Sequence, residues 1–336
     1  MLSLLLFFAA IAAYIQPLEG DLTRLGGYAE RDFGWNTPQV AANQAYTTAR
    51  YDAYSDVVVL GDSFSRAGIW QRYFSAHTGL SYKTLELDHI PVEHLVDTPA
   101  FVMTPPKLVV VQSIERYLLP KFGYSDRCES RLMSSKARGR PLFRLLSDAP
   151  AIATATRKSS AELAKMNLDY AYRYLEKSLL RGVFGTDFTP VRQFALTRAD
   201  LFSHRHSDRL LVSAEDLTRN DWSDGDVKKI ACGIMRLQDL IEANGKTYFV
   251  LLVVPDKLTV YRPYSVDPPP RRVADTLSSL QRYGIAVPHT ETAFSAALRL
   301  GVKDIFLPND THLGIDGYAL LAQSLIEFLS PVRMNQ

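Results

Sequence analysis

The spacing of hydrophobic positions changes several times along the chain, and each change predicts an element. From Leu2 to Ile15 the apolar run is broken only by Ser3, and the first sixteen residues carry no charge. Such a run falls short of the roughly 20 residues that span a bilayer comfortably, but it suits the core of a signal peptide. Ala10-Ile11-Ala12 adds a small-x-small cleavage pattern. Residues 1–16 are therefore expected to be a signal peptide or membrane anchor, with a buried N-terminal helix as the alternative. Residues 17–50, opening PLEGDLTRLGGYAERDFGWN, read as a polar collar after it.

Three later runs are continuous and not alternating: Asp56–Leu60, Lys107–Gln112 and Tyr248–Val254. Short continuous apolar runs suit strands of a parallel sheet that is covered on both faces. Helical spacing appears between them, in Ile69, Trp70, Tyr73 and Phe74, and again in Ile230, Ile234, Leu237 and Ile241 before a stop at Asn244-Gly245. Leu163, Met166, Tyr170 and Tyr174 predict a helix over Ser160–Leu180, and Tyr318, Leu321, Leu325 and Phe328 predict a final one. The fold class is α/β with a predominantly parallel sheet. The catalytic domain is expected over residues 51–330, interrupted by residues 117–222 as an insertion or lid. Within that insertion, Phe194–Leu217 is expected to lie across the mouth of the site.

Composition narrows the function. The 336 residues are 47% hydrophobic and 22% charged, which excludes a wholly disordered chain. A net charge of +2 without a long basic block argues against nucleic acid as a partner. Cys128 and Cys232 permit at most one disulfide. Of seven histidines only His204 and His206 are closely spaced, in the basic stretch SHRHSDR, and no glycine-rich nucleotide fingerprint occurs. Neither a metal nor a cofactor is expected.

Chemistry concentrates where strands end. Gly61 permits a tight turn after the first strand, which leaves Ser63 at the start of a helix and at the C-terminal edge of the sheet. Amides of a first helical turn lack intrahelical acceptors and can receive an oxyanion, although Asp62 or Ser63 could equally serve only as a helix cap. His312 lies on a loop before the final helix, two residues after Asp310. Together they make a candidate nucleophile, base and orienting carboxylate: Ser63, His312 and Asp310.

Gly61-Asp62-Ser63-Phe64 after a buried strand, with Asp310-Thr311-His312-Leu313 before the last helix, resembles the SGNH (GDSL-type) hydrolase superfamily. Within it the pattern is most similar to the SGNH-like O-acetyltransferases of bacterial exopolysaccharide modification, the alginate-acetylation type. Glu115-Arg116, Pro255-Asp256-Lys257 with Tyr261, and Phe33-Gly34-Trp35-Asn36 add to the likeness, which covers the sheet core and not the insertion. The resemblance implies a three-layer α/β/α fold and a periplasmic enzyme, either tethered to the inner membrane by the N-terminal segment or released after it. It further implies that the serine carries acetyl from a membrane-bound acyl-donor partner to a polysaccharide acceptor. A carbohydrate O-acetylesterase, and an inactive polysaccharide-binding or assembly protein, are the alternatives. Asp62, Gln112, Glu115, Arg116, Lys257 and Tyr261 are the expected oxyanion or pocket residues. Among them Glu115 and Arg116 are expected to form mainly a structural ion pair, and Asp256-Lys257 to shape the pocket floor. Three departures stand out: Asn309 occupies the place of the esterase aspartate, the serine segment precedes the Asp-x-His segment that alginate-type enzymes usually set first, and Gln112-Ser113 replaces the usual Gly-x-Asn-Asp block.

Overall fold

The computed structural model describes residues 2–15, 20–39, 46–124, 168–185, 189–273 and 275–330. Its main sheet is built from β1 (Thr47–Thr48), β2 (Val57–Gly61), β3 (Tyr82–Glu86), β4 (Leu108–Ile114) and β7 (Tyr248–Val254), in the order β1-β3-β2-β4-β7. Every pairing in it is parallel, with Leu60 beside Val111 and Gln112 beside Leu252. β5 (Val191–Ala195) and β6 (Arg209–Ser213) form a separate antiparallel pair.

Strand side chains point alternately to opposite faces, and both faces are buried. Val57, Val59, Val110, Val250 and Leu252 join one core with helices Ile69–Thr78, Thr290–Arg299 and Ile315–Leu329. Val58, Leu60, Val109, Val111, Phe249 and Leu251 join the other, with helix Asp224–Glu242. This is the three-layer α/β/α arrangement, and it explains why the strand sequences show no polar alternation.

The chain leaves β2 toward β3 on one side and then crosses to β4 on the other. Strand order therefore reverses at the C-terminal ends of β2 and β4, the place where open α/β sheets form a crevice. Ser63 follows β2 there.

The insertion departs in part from a lid. Leu201, Phe202, Leu210 and Val212 are buried in the first core, so the stretch expected over the mouth of the site is fastened into the body of the protein. The helix expected over Ser160–Leu180 runs Leu168–Phe184 among the described residues, and Leu163 and Met166 lie outside them. Cys232 is buried and disulfide-bonded, while Cys128 lies outside the described residues. No helix among the described residues is long and apolar enough to cross a membrane. The helix Leu2–Ile15 exposes Leu4, Leu5, Leu6 and Phe7, and its end packs Ile15 against Ala29.

Candidate active site

The turn after β2 is tight. A Cβ on Gly61 would lie 2.3 Å from the Ser65 side chain, so only glycine fits. Asp62 then caps the short helix Ser63–Arg66, its Oδ1 accepting from the Phe64 amide at 3.0 Å. Ser63 is the first residue of that helix and is half-buried. After Ala67 and Gly68 the chain restarts as helix Ile69–Thr78, which divides what the sequence pattern suggested was one helix.

His312 arrives from the far end of the chain. Its Nε2 lies 3.0 Å from Ser63 Oγ, and its Nδ1 lies 2.7 Å from Asp310 Oδ1. An ionised carboxylate only accepts, so Nδ1 carries the proton and Nε2 is left to accept the serine hydroxyl. Asp310 Oδ1 also accepts from the His312 amide at 2.9 Å. The Phe64 ring packs 4.8 Å from the imidazole and fixes its plane.

Charge follows from these contacts. Burial raises the Asp310 pKa, but the His312 hydrogen bond and charge and the Asp21 and His312 amides outweigh it and hold the carboxyl at about 2. Burial lowers the His312 pKa, yet Asp310, with smaller help from Asp21 and Asp62, leaves it above its ordinary value. The imidazolium form of His312 is thereby favoured.

The turn that carries Asp310 and His312 is held from inside by Lys257. This fully buried ammonium donates to the carbonyls of Leu307, Pro308 and Asp310 at 2.7, 3.1 and 3.0 Å. Burial pushes its pKa down to about 7, against the pull of Asp310, Asp216 and Asp304. Three carbonyl acceptors need three N–H donors, which only the charged form supplies. We take Lys257 as charged for that reason.

The remaining expected pocket residues take other places. Gln112 is buried beneath the Gly61 turn, where its Oε1 accepts from Ser65 Oγ at 2.6 Å; its Nε2 makes no hydrogen bond of standard geometry, although it lies close enough to Asp62 to favour the carboxylate. Tyr261 is buried in the core and stacks on Phe202 at 4.6 Å. Glu115 and Arg116 point to different partners and do not pair with each other. Glu115 meets Arg219 and accepts from Thr259 Oγ1 at 2.7 Å, while Arg116 meets Asp216 and Asp256, each at 3.1 Å. The expectation of a structural role holds in kind, but the pair is corrected: adjacent residues leaving a strand point apart and find separate counter-charges. Asp256 joins that buried network.

The collar sequence gives no sign that residues 20–30 dock on the Asn309–Asp310 turn. The Asp21 amide donates to Asp310 Oδ2 at 3.0 Å, and the Leu22 and Thr23 amides donate to the Asn309 carbonyl at 3.0 and 3.3 Å. Buried Glu30 accepts from Asn309 Nδ2 at 2.9 Å. No local pattern signals these contacts, because their partners lie more than 270 positions away. Among the described residues, the single cluster able to offer a metal three acidic or imidazole ligands is Asp21, Asp310 and His312, and two of these already serve Ser63.

The arrangement can do nucleophilic acyl chemistry: a hydroxyl hydrogen-bonded to a base of fixed tautomer, with Ser63 at a helix start where amides lack intrahelical acceptors. Comparison of the chain with family models, with curated proteins and with solved structures finds no match.

Proposed function

We propose that the protein is an SGNH-like serine O-acetyltransferase that moves an acetyl group through Ser63 to a hydroxyl of an exported polysaccharide. The observation that carries this reading is the unbroken chain Ser63 Oγ to His312 Nε2 at 3.0 Å and His312 Nδ1 to Asp310 at 2.7 Å. Ser63 Oγ attacks the donor carbonyl while Nε2 takes its proton. The imidazolium then protonates the leaving group, and the C–O or C–S bond to the donor breaks. A sugar hydroxyl gives its proton to Nε2 and attacks the acetyl-serine, and as the second tetrahedral species collapses the Oγ–acetyl bond breaks and the imidazolium returns that proton to Ser63 Oγ.

Two features support a periplasmic setting with a membrane-bound acyl-donor partner. The exposed apolar side chains of Leu2–Ile15 suit a leader or tether, and a disulfide at Cys232 suits an oxidising compartment. A second reading, carbohydrate O-acetylesterase, is favoured by the half-buried state of Ser63 and His312, which leaves water a path to the acyl-enzyme.

The test incubates the protein with an activated acetyl ester and uronate, glucose or N-acetylglucosamine oligosaccharides, and counts acetyl groups on sugar against free acetate by mass spectrometry. Transfer gives acetylated oligosaccharide that disappears with Ser63→Ala. Acetate alone across all acceptors moves the assignment to the esterase. Absence of turnover with intact polymer binding points to a binding or assembly protein.

A further inference from the structure

We infer that residues 20–39 are a working part of the active site and that Glu30 is a positioning residue for the Asp310–His312 pair. The inference rests on the reading of Ser63 and His312 as nucleophile and base.

Three polar groups of the turn are held by the N-terminal segment: Asp310 Oδ2, the Asn309 carbonyl and Asn309 Nδ2. Asp310 offers Oδ1 to His312 and Oδ2 to the Asp21 amide, so the orientation of the carboxylate is set from both of its oxygens. The Asn309 carbonyl takes the Leu22 and Thr23 amides, which are donors without intrahelical acceptors at the start of the helix Asp21–Gly26. Glu30 fastens both partners together. Its Oε2 accepts from Asn309 Nδ2, while its Oε1 accepts from the Gly20 amide at 2.9 Å and from the Thr23 hydroxyl. The carboxylate is fully buried, so these donors replace water entirely.

The approach is close as well as polar. A Cβ on Gly20 would lie 2.1 Å from the Asn309 carbonyl oxygen, which leaves no room for any other residue. Segment and turn are thus fitted backbone to backbone, and a shift of one moves the other. Among the described hydrogen bonds, this contact includes none to the Ser63 hydroxyl, whose bond is to His312. Its effect on chemistry runs through the direction in which Asp310 holds His312.

The pH dependence of that effect has a definite sign. The charged and titratable groups facing His312 are Asp310, Asp21 and Asp62, and Asp310 is the largest upward influence on the imidazole. Lys257 acts on the Asp310 side of the turn, and the buried Tyr318 hydroxyl lies near Asp310 and Asp62. Loosening Asp310 weakens the stabilisation of imidazolium, so the His312 pKa falls toward its ordinary value.

The test uses the full chain with Glu30→Gln and, as a milder change that removes only the hydroxyl donor, Thr23→Val. Three quantities are read: the labelling rate of Ser63 by a fluorophosphonate per folded molecule, the acid limb of that rate, and the downfield NMR proton of His312 Nδ1–H. Positioning predicts labelling slowed about 10-fold or more in Glu30→Gln, an acid limb moved to lower pH, and a weakened or shifted downfield proton. Thr23→Val should show the same three changes at smaller size, and it carries the test if Glu30→Gln does not fold. Variants that melt earlier but keep the wild-type rate, limb and proton overturn the inference, because a merely structural contact would do that. If the wild type itself takes no label, the reading of Ser63 fails separately, and the downfield proton in the variants still decides whether the segment orients the pair.

Discussion

Asp62 Oδ2 accepts the Ile114 amide at 2.8 Å, across the gap between the ends of β2 and β4. The residue beside Ser63 is thus a strap at the strand ends where the crevice opens. Its other oxygen caps the helix that begins with Ser63. Burial raises the Asp62 pKa, while both amides and Gln112 favour the carboxylate.

Replacing Asp62 by alanine should therefore act through the fold. Two buried amides lose their acceptor, each at a cost of about 1–3 kcal/mol. Unfolding in urea should show a loss of roughly 2–5 kcal/mol, and Ser63 should label more slowly because its helix is no longer pinned to β4. A stability change below about 1 kcal/mol would contradict the strap.

Ser63→Ala and His312→Ala should lower turnover by about 10³-fold or more with little change in melting temperature. Ser63→Ala should also abolish labelling by a fluorophosphonate. Full-rate labelling of Ser63→Ala would remove it as the nucleophile.

The base must be neutral to accept a proton, so activity should rise with pH through the His312 pKa. That pKa is raised, which places the midpoint of the acid limb above the ordinary histidine value of about 6.5. The stability consequence has the opposite sense: the Asp310 contact favours imidazolium, so its contribution is fully present below about 6.5 and fades as pH rises through the folded-state value. Asp310→Asn removes both effects, with a limb at lower pH and a rate loss of about 10³–10⁴-fold. An acid limb unmoved by Asp310→Asn would separate the two residues functionally.

How much of this was legible in the sequence depends on the range of each interaction. β2, β4 and β7 were visible because both of their faces are buried, and Ser63 because glycine and strand end coincide with it. β3, with the sequence YKTLE, has a half-buried polar pattern that carries no strand signal of its own. It forms because β2 offers it a parallel ladder from Val57↔Tyr82 to Gly61↔Glu86. The Asp310–His312 pair was legible because it is local, whereas the docking of Asp21 and Glu30 on that turn spans nearly the whole chain. Glu115 and Arg116 misled for the converse reason: adjacency in sequence suggested a pair that the backbone direction does not allow.

Lys257→Met keeps most of the side-chain volume and removes the three donors to the turn. The carbonyls of Leu307, Pro308 and Asp310 lose their shared partner, so stability should fall by about 2–4 kcal/mol and labelling of Ser63 should slow. If the buried ammonium were instead dispensable, denaturant unfolding of the methionine variant would match the wild type. That outcome is reasonable only if Lys257 folds neutral, in which case wild-type stability would rise with pH from about 7 toward the unfolded value of about 10.4.

The Glu115–Arg219 contact allows the structural and catalytic readings of the second strand end to be separated. Both side chains are almost wholly buried, and Glu115 also receives the Asp256 amide at 3.1 Å and the Thr259 hydroxyl. Removing one charge leaves the other desolvated and unpaired, which typically costs about 3–5 kcal/mol. Glu115→Gln and Arg219→Met should each destabilise by that order. The double variant should be less destabilised than the sum, because neither charge is then left alone. Labelling of Ser63 per folded molecule should remain near wild type in all three, since the pair meets the triad only through the fold. Additive single effects would mean that the two charges do not sense each other. A labelling rate that collapses while stability holds would instead move Glu115 from the scaffold to the reaction.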